Sequence, residues 1–163
     1  MSVQHPFPPV VDAGCRILVL GSFPSVKSRE EGFFYGHPRN RFWPMMAQLL
    51  GEAQPQTVEQ KRAMLLRHGI ALWDVIASCE IVGSSDSSIR QAEPVDIRQI
   101  TAVCRLKRVY CNGAAAAKLY RRYLEPLVEL PALALPSTSP ANAAWSLPRL
   151  LQAWAPLGEA LDG

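Results

Sequence analysis

The run Arg16-Ile-Leu-Val-Leu20, closed by Gly21, constrains the fold more than any other stretch of this 163-residue chain. A continuous apolar run with no polar alternation fits a strand buried on both faces, and such strands belong to parallel sheets covered by helices. Similar runs recur at 70–76, 107–111 and 131–135. Helical patterns lie between them. Residues 42–50 form one, ended by Gly51, with Pro44 tolerable only in a first turn. Residues 57–68 form a clearer one, opened by a Thr57/Gln60 capping box and stopped by Gly69. Pro94 is expected to open a helix to about Cys104, and Asn112-Gly113 leads tightly into an alanine-rich helix over 114–124. The last helix is expected over 145–154, with Asn142 or Ser146 near its entrance and Pro148 in its first turn. Strands alternating with helices predict an α/β fold, a three-layer α/β/α sandwich around a central, mostly parallel sheet of about four strands.

Length and composition suit one domain over residues 1–163, with residues 1–14 as a proline-rich arm, packed or frayed at the surface, that carries little chemistry. At 48% hydrophobic residues the chain can bury a full core without disulfides or metals. Its formal charge of +3 permits an anionic partner without demanding one. Four cysteines, at 15, 79, 104 and 111, lie far apart and form no C-x-x-C pair, so neither a metal site nor any other cofactor is expected. The N-terminus has no apolar leader, and no run approaches the roughly 20 apolar residues of a membrane span. A reduced, cytoplasmic monomer with no membrane partner is the expectation.

In parallel α/β sheets, ligands bind outside the carboxyl ends of the strands. That rule gathers residues 21–40, 73–86, 112–113 and 137–142 at one edge. The stretch 21–43 is too long and too aromatic for a connector, and reads as a binding loop. It contains no G-x-G-x-x-G, no Walker loop and no G-x-S-x-G, so the backbone cradles of dinucleotide, NTP and serine-hydrolase sites are missing. What the edge offers is aromatic faces, amides, hydroxyls and cations, which suit a flat heterocycle with an adjacent phosphate backbone.

G-S-F-P-S at 21–25, G-F-F-Y-G-H-P-R-N-R-F-W at 32–43, L-W-D-V-I-A-S-C at 72–79, G-S-S-D-S-S-I at 83–89 and P-S-T-S-P-A-N at 136–142 together resemble the uracil-DNA glycosylase superfamily. Within it they most resemble the hypoxanthine-DNA (deoxyinosine) glycosylase branch, over residues 16–154. Two departures matter. Phe23 stands where the mismatch-specific uracil branch has a water-activating asparagine, and Ser137-Thr138-Ser139-Pro140 lacks the histidine that often opens the second motif. The cysteines also do not match the iron–sulfur branches. In the hypoxanthine branch the catalytic amide is expected in the H-P-x-N segment, where this chain has Asn40.

Each residue also has a structural reading. Asn40 is the catalytic candidate, yet asparagine is equally a good cap for the helix at 42. Base contacts are expected from Ser22 and Phe23, from Tyr35 as a stacking face, and from Asp74 and Asn112 at strand ends. Phe23 and Tyr35 fit a core as well, Asp74 a buried hydrogen-bonded carboxylate, and Asn112 a turn. Arg39, Ser137, Ser139 and Asn142 are the DNA-phosphate candidates, with a solvated surface or turn and cap roles as the alternatives.

The resemblance implies a monofunctional DNA repair glycosylase that hydrolyses the N-glycosidic bond of a deaminated base, hypoxanthine first, uracil or xanthine next. Its partner is DNA containing that base, met at the nucleoid. Asn40 would position water, and backbone N–H groups around Ser22 and Phe23 would stabilise the departing base anion. The alternatives are a catalytically weak damaged-DNA-binding protein of the same fold and a nucleoside- or nucleotide-processing enzyme.

Overall fold

The computed structural model describes residues 2–162. Strands β1 (Val3–Gln4) and β2 (Ile17–Gly21) are followed by helices α1 (Val26–Glu31), α2 (Phe42–Leu50) and α3 (Val58–Arg67). Then come β3 (Ile70–Asp74), β4 (Ile76–Glu80), β5 (Arg90–Pro94), α4 (Arg98–Thr101), β6 (Arg108–Asn112), α5 (Ala114–Tyr123), α6 (Glu125–Val128), β7 (Ala132–Leu135) and α7 (Leu147–Asp162).

The four apolar runs form the expected parallel sheet, ordered β3-β2-β6-β7. Every residue of β2 and β3 is buried, as unbroken apolar runs require. From β2 the chain moves first to β3 on one side, then returns past β2 to β6 and β7 on the other. Right-handed crossovers therefore put α1–α3 on one face and the later helices before β7 on the opposite face. Helix α7 returns to pack on α2, with the Trp154 and Phe42 rings edge to face at 6.2 Å. The reversal of direction at β2 creates a topological switch point between the carboxyl ends of β2 and β6.

Local signals account for most boundaries. Thr57 and Gln60 form the reciprocal capping box at α3, and Gly51 ends α2 in the left-handed conformation. Five expectations are corrected. The loop 21–43 contains α1, capped by Ser25, whose hydroxyl accepts from Ser28 N, and closed by Gly32 at φ 76°. The second apolar run stops at Asp74, because Val75 turns the chain into a separate antiparallel sheet, ordered β1-β4-β5. Pro94 ends strand β5 instead of opening a helix; α4 starts at Arg98, whose N–H is held by Asp96. Helix α7 begins at Leu147, with Ser146 at its entrance and Asn142 well before it.

The fifth correction concerns the chemistry of the arm, which is packed and brings His5 onto Asp74. β1 pairs with β4, and Val10, fully buried, makes two backbone hydrogen bonds to Leu72 that cover the β3 edge.

Candidate active site

A pocket opens at the switch point, walled by the loop after β2, the ends of β3 and β6, and the 137–139 segment after β7. Of the ten residues expected in the site, Ser22, Phe23, Tyr35, Asn40, Asp74, Asn112, Ser137 and Ser139 line it. Arg39 and Asn142 do not. Arg39 is exposed, and Asn142 donates its side-chain amide to the Ser137 carbonyl at 2.9 Å, bracing the loop.

One wall is a fully directed hydrogen-bond chain. Thr138 N–H donates to Asn112 Oδ1 at 3.0 Å, which fixes the orientation of that amide. Asn112 Nδ2 then donates to Thr138 Oγ1 at 3.0 Å, and Thr138 Oγ1 donates to Asn40 Oδ1 at 2.8 Å. Phe42 N–H donates to the same Asn40 oxygen at 2.9 Å. A backbone N–H can only donate, so the atom facing it is the oxygen. Asn40 thus satisfies the first free N–H of α2 from just outside the N-cap residue, Arg41, and both lone pairs of its oxygen are used. Its amide NH2 is the group left for a ligand.

Arg41 locks this wall in place. Its guanidinium donates to the carbonyls of Thr138, Ser139, Asn142 and Trp145, and its own N–H donates to Thr138 O. It holds the loop and is not a free surface cation. Arg39, by contrast, keeps its side chain unpaired at the surface, since only its backbone N–H is used, by His37.

The opposite wall leaves groups open. Ser22 and Phe23 N–H have no hydrogen-bond partner among the described residues, while the Ser22 carbonyl accepts from Ile76 N–H. Ser22 Oγ donates to Asp86 Oδ1 at 2.6 Å. Asp86 shows residue surface to solvent but turns its carboxyl inward, and burial there pushes its pKa above the ordinary aspartate value, opposed by the Ser22 bond. Phe23 is 7% exposed, with the Arg29 guanidinium 5.6 Å from its ring centre.

Tyr35 sits at φ 54°, in the left-handed region that side chains rarely adopt, and its ring stacks on Phe42 at 4.2 Å. Its Oη is buried and makes no hydrogen bond of ordinary geometry, with the Asn112 amide a neighbouring donor; burial holds the phenol far above its ordinary pKa, so it is a neutral O–H donor. Asp74, 3% exposed, accepts from His5 Nε2 through Oδ2 at 2.8 Å. Gly21 is required here, because a Cβ would lie 2.3 Å from Asp74 Oδ1 and 3.0 Å from Tyr35 Oη.

Three contributors escaped sequence reasoning. Thr138 was legible only as the middle of P-S-T-S-P, between two serines that were chosen. Asp86 was hidden in a serine-rich loop. His5 lies 69 residues from Asp74, and no local pattern links them. Among the described residues no group of three or more His, Cys, Asp or Glu side chains is placed to hold a metal ion. The four cysteines are buried and free, Cys111 with its thiol pushed up to about 12 by burial. No helix among the described residues is long and apolar enough to cross a membrane.

A doubly wound sheet with a switch-point pocket walled by amides, hydroxyls and aromatic rings belongs to the class of α/β proteins that bind ligands outside the carboxyl ends of their strands. The family model described as the uracil DNA glycosylase superfamily matches residues 8–158, and the chain belongs to that superfamily. It is 33% identical over 148 residues to the hypoxanthine DNA glycosylase of Methanosarcina acetivorans, covering 88% of this chain and 91% of that one. A hypoxanthine DNA glycosylase of Methanosarcina barkeri is 38% identical over 88 residues, 53% of this chain and 56% of its relative. The solution NMR structure of a protein provisionally described as a uracil DNA glycosylase, also from M. acetivorans, superposes with a TM-score of 0.83 at 32% identity, covering both chains completely.

Proposed function

We propose that this protein is a monofunctional DNA glycosylase that extrudes a deaminated base, hypoxanthine first, from DNA and hydrolyses its N-glycosidic bond. The observation that carries the reading is the Asn40 amide, whose oxygen is saturated by Thr138 and Phe42 while its NH2 stays open at the pocket. Relatives named as hypoxanthine DNA glycosylases support the substrate.

The oriented NH2 refines how Asn40 works. It does not accept a proton from water. It holds the water oxygen by donation, leaving a lone pair for the anomeric carbon, so its contribution is orientation. As the bond breaks, positive charge grows on the sugar and negative charge on the base. The unpartnered N–H groups of Ser22 and Phe23 are donors ready for that anion. Phe23 supplies aromatic surface for the base, whereas Tyr35, expected as a stacking face, already stacks on Phe42 and presents its hydroxyl end. Ser137 and Ser139, with Arg39 on the outer surface, serve the phosphates. No lysine lines the pocket, and Lys27 is turned to Glu31 at 3.7 Å, which favours direct hydrolysis over a Schiff-base lyase.

The test is to incubate the protein with duplexes containing hypoxanthine, xanthine or uracil and then reveal abasic sites with alkali. Strand breaks at hypoxanthine after alkali, and not before it, are expected. Breaks before alkali would sink the monofunctional assignment. No breaks on any lesion would leave a DNA-binding protein without this chemistry.

A further inference from the structure

We propose that Tyr35 Oη and Asp74 Oδ1 form a donor–acceptor pair that reads the lactam edge of the extruded base, and that His5 of the N-terminal arm is the positioning residue that aims Asp74. The proposal rests on the glycosylase reading and deepens it by naming what the pocket selects.

Both atoms converge on one point of the pocket floor. They lie 3.0 Å and 2.3 Å from the place a Gly21 Cβ would occupy, and the glycine leaves that place open. Neither atom makes a hydrogen bond of ordinary geometry among the described residues, although the Asn112 amide acts on Tyr35 Oη as a neighbouring donor. Tyr35 Oη is buried and unpaired, and Asp74 engages His5 through Oδ2 alone, leaving Oδ1 free. A buried hydroxyl without a partner costs free energy that the folded protein does not recover until something binds. The left-handed backbone at Tyr35 is a second local cost at the same place.

The pattern these two atoms present is an O–H donor beside a carboxylate acceptor. Hydrolytic deamination of adenine replaces the 6-amino group with a carbonyl and puts a proton on N1. The donor and acceptor positions on that edge are thereby exchanged. Hypoxanthine offers O6 to the Tyr35 hydroxyl and N1–H to Asp74 Oδ1. Adenine offers an unprotonated N1, which would bring a lone pair against the carboxylate. Uracil and xanthine carry the same lactam, which makes the pair a reader of deaminated bases as a class. Guanine shares it too, and its exclusion falls to its 2-amino group and to the cost of extruding it from a stable pair.

His5 makes the acceptor directional. A carboxylate oxygen only accepts, so His5 Nε2 is the donor to Asp74 Oδ2 at 2.8 Å, while Nδ1 faces Phe7 N–H at 3.5 Å. The two side chains are 5% and 4% exposed, and Phe7 and Phe23 pack edge to face on the imidazole at 4.6 and 6.1 Å. The arm is fastened beyond this contact by His5 N–H to Ala77 O and by the Val10–Leu72 bridge. The carboxylate cannot rotate without breaking a buried bond, and its second oxygen stays on the base side.

The experiment measures affinity for duplexes carrying a hydrolysis-resistant 2′-fluoroarabino nucleotide whose base is hypoxanthine or unsubstituted purine, which lacks both O6 and N1–H. An abasic-site duplex serves as reference. The wild-type protein is expected to prefer hypoxanthine to purine by at least about tenfold, a typical effect of leaving buried polar groups unpaired. Tyr35→Phe and Asp74→Asn should each remove most of that preference, with abasic-site affinity held within about twofold. His5→Ala should weaken it, and His5→Gln, which keeps a donor, should restore part. A preference unchanged in Tyr35→Phe overturns the reader, and one unchanged in His5→Ala overturns the positioning role. Because each result is a ratio within one protein, general destabilisation does not mimic it. A wild type that releases hypoxanthine but binds the two duplexes equally overturns the reader alone; one that releases no base overturns the glycosylase reading.

Discussion

The two walls of the pocket are built on opposite rules. On the Asn40 side, every polar atom of the Asn112–Thr138–Asn40 chain but the Asn40 NH2 is used, and Arg41 ties the supporting loop down through four carbonyls. On the Gly21 side, two backbone N–H groups, a phenol and a carboxylate oxygen stay unpaired. A saturated network fixes one functional group in one orientation, whereas open donors and acceptors wait for partners that the protein itself lacks. In the proposed glycosylase, the first wall holds the reacting water and the second recognises the base and accepts its charge.

The largest effect expected from breaking this division is at Gly21. Gly21→Ala drives a methyl against Asp74 Oδ1, and should lower single-turnover base release on the order of a hundredfold, because displacing a recognition group by about 1 Å is that costly. Its melting temperature should fall less than that loss implies. Thr138→Val should do the reverse. It keeps shape but removes the hydroxyl, leaving Asn112 Nδ2 and one Asn40 lone pair unmet in a fully buried setting, at about 2–3 kcal/mol of stability by denaturant unfolding. A Thr138→Val protein as stable as wild type would show that the chain is not a structural unit.

The parallel sheet was legible in the sequence because Ile17–Gly21 and its counterparts are apolar without interruption, and the Thr57/Gln60 box and Gly51 mark helix ends by local chemistry. The second sheet was not. Arg90-Gln-Ala-Glu-Pro94 is polar, ends in proline and sits at a sheet edge, where strands need little apolar patterning. Asn40 was legible as cap or candidate catalytic amide; in the fold its oxygen meets the first N–H of α2 from outside the N-cap residue, Arg41, and its NH2 is open. His5 was not legible at all, since its meaning depends on a contact with Asp74 that only the folded arm creates.

Smaller effects sharpen the same contrast. Arg39→Ala removes an exposed, unpaired cation outside both walls. It should weaken DNA binding equally for every lesion, reduce the salt slope by about 1, and leave stability within about 0.5 kcal/mol. Asp86→Asn acts on the open wall through pH. Burial raises the folded carboxyl's pKa above the ordinary 3.8, so the folded protein binds that proton more tightly than the unfolded chain does. Stability therefore falls as pH rises from 3.8 through the folded carboxyl's raised pKa. Asp86→Asn keeps an acceptor for Ser22 and should raise the melting temperature at pH 7, with a gain that vanishes below the ordinary aspartate value. A gain that grew toward acid pH would reverse the assigned direction.

The most direct measurement of the central claim is single-turnover release of hypoxanthine from a duplex by wild type and by Asn40→Ala. Leaving the Thr138 hydroxyl and the Phe42 N–H unmet should cost about 2–3 kcal/mol of stability, less than the whole stability of a typical domain. The Asn40 amide as the group that orients water predicts a rate on the order of a hundredfold slower in Asn40→Ala, with duplex affinity within about threefold of wild type. Full single-turnover activity in Asn40→Ala would contradict it.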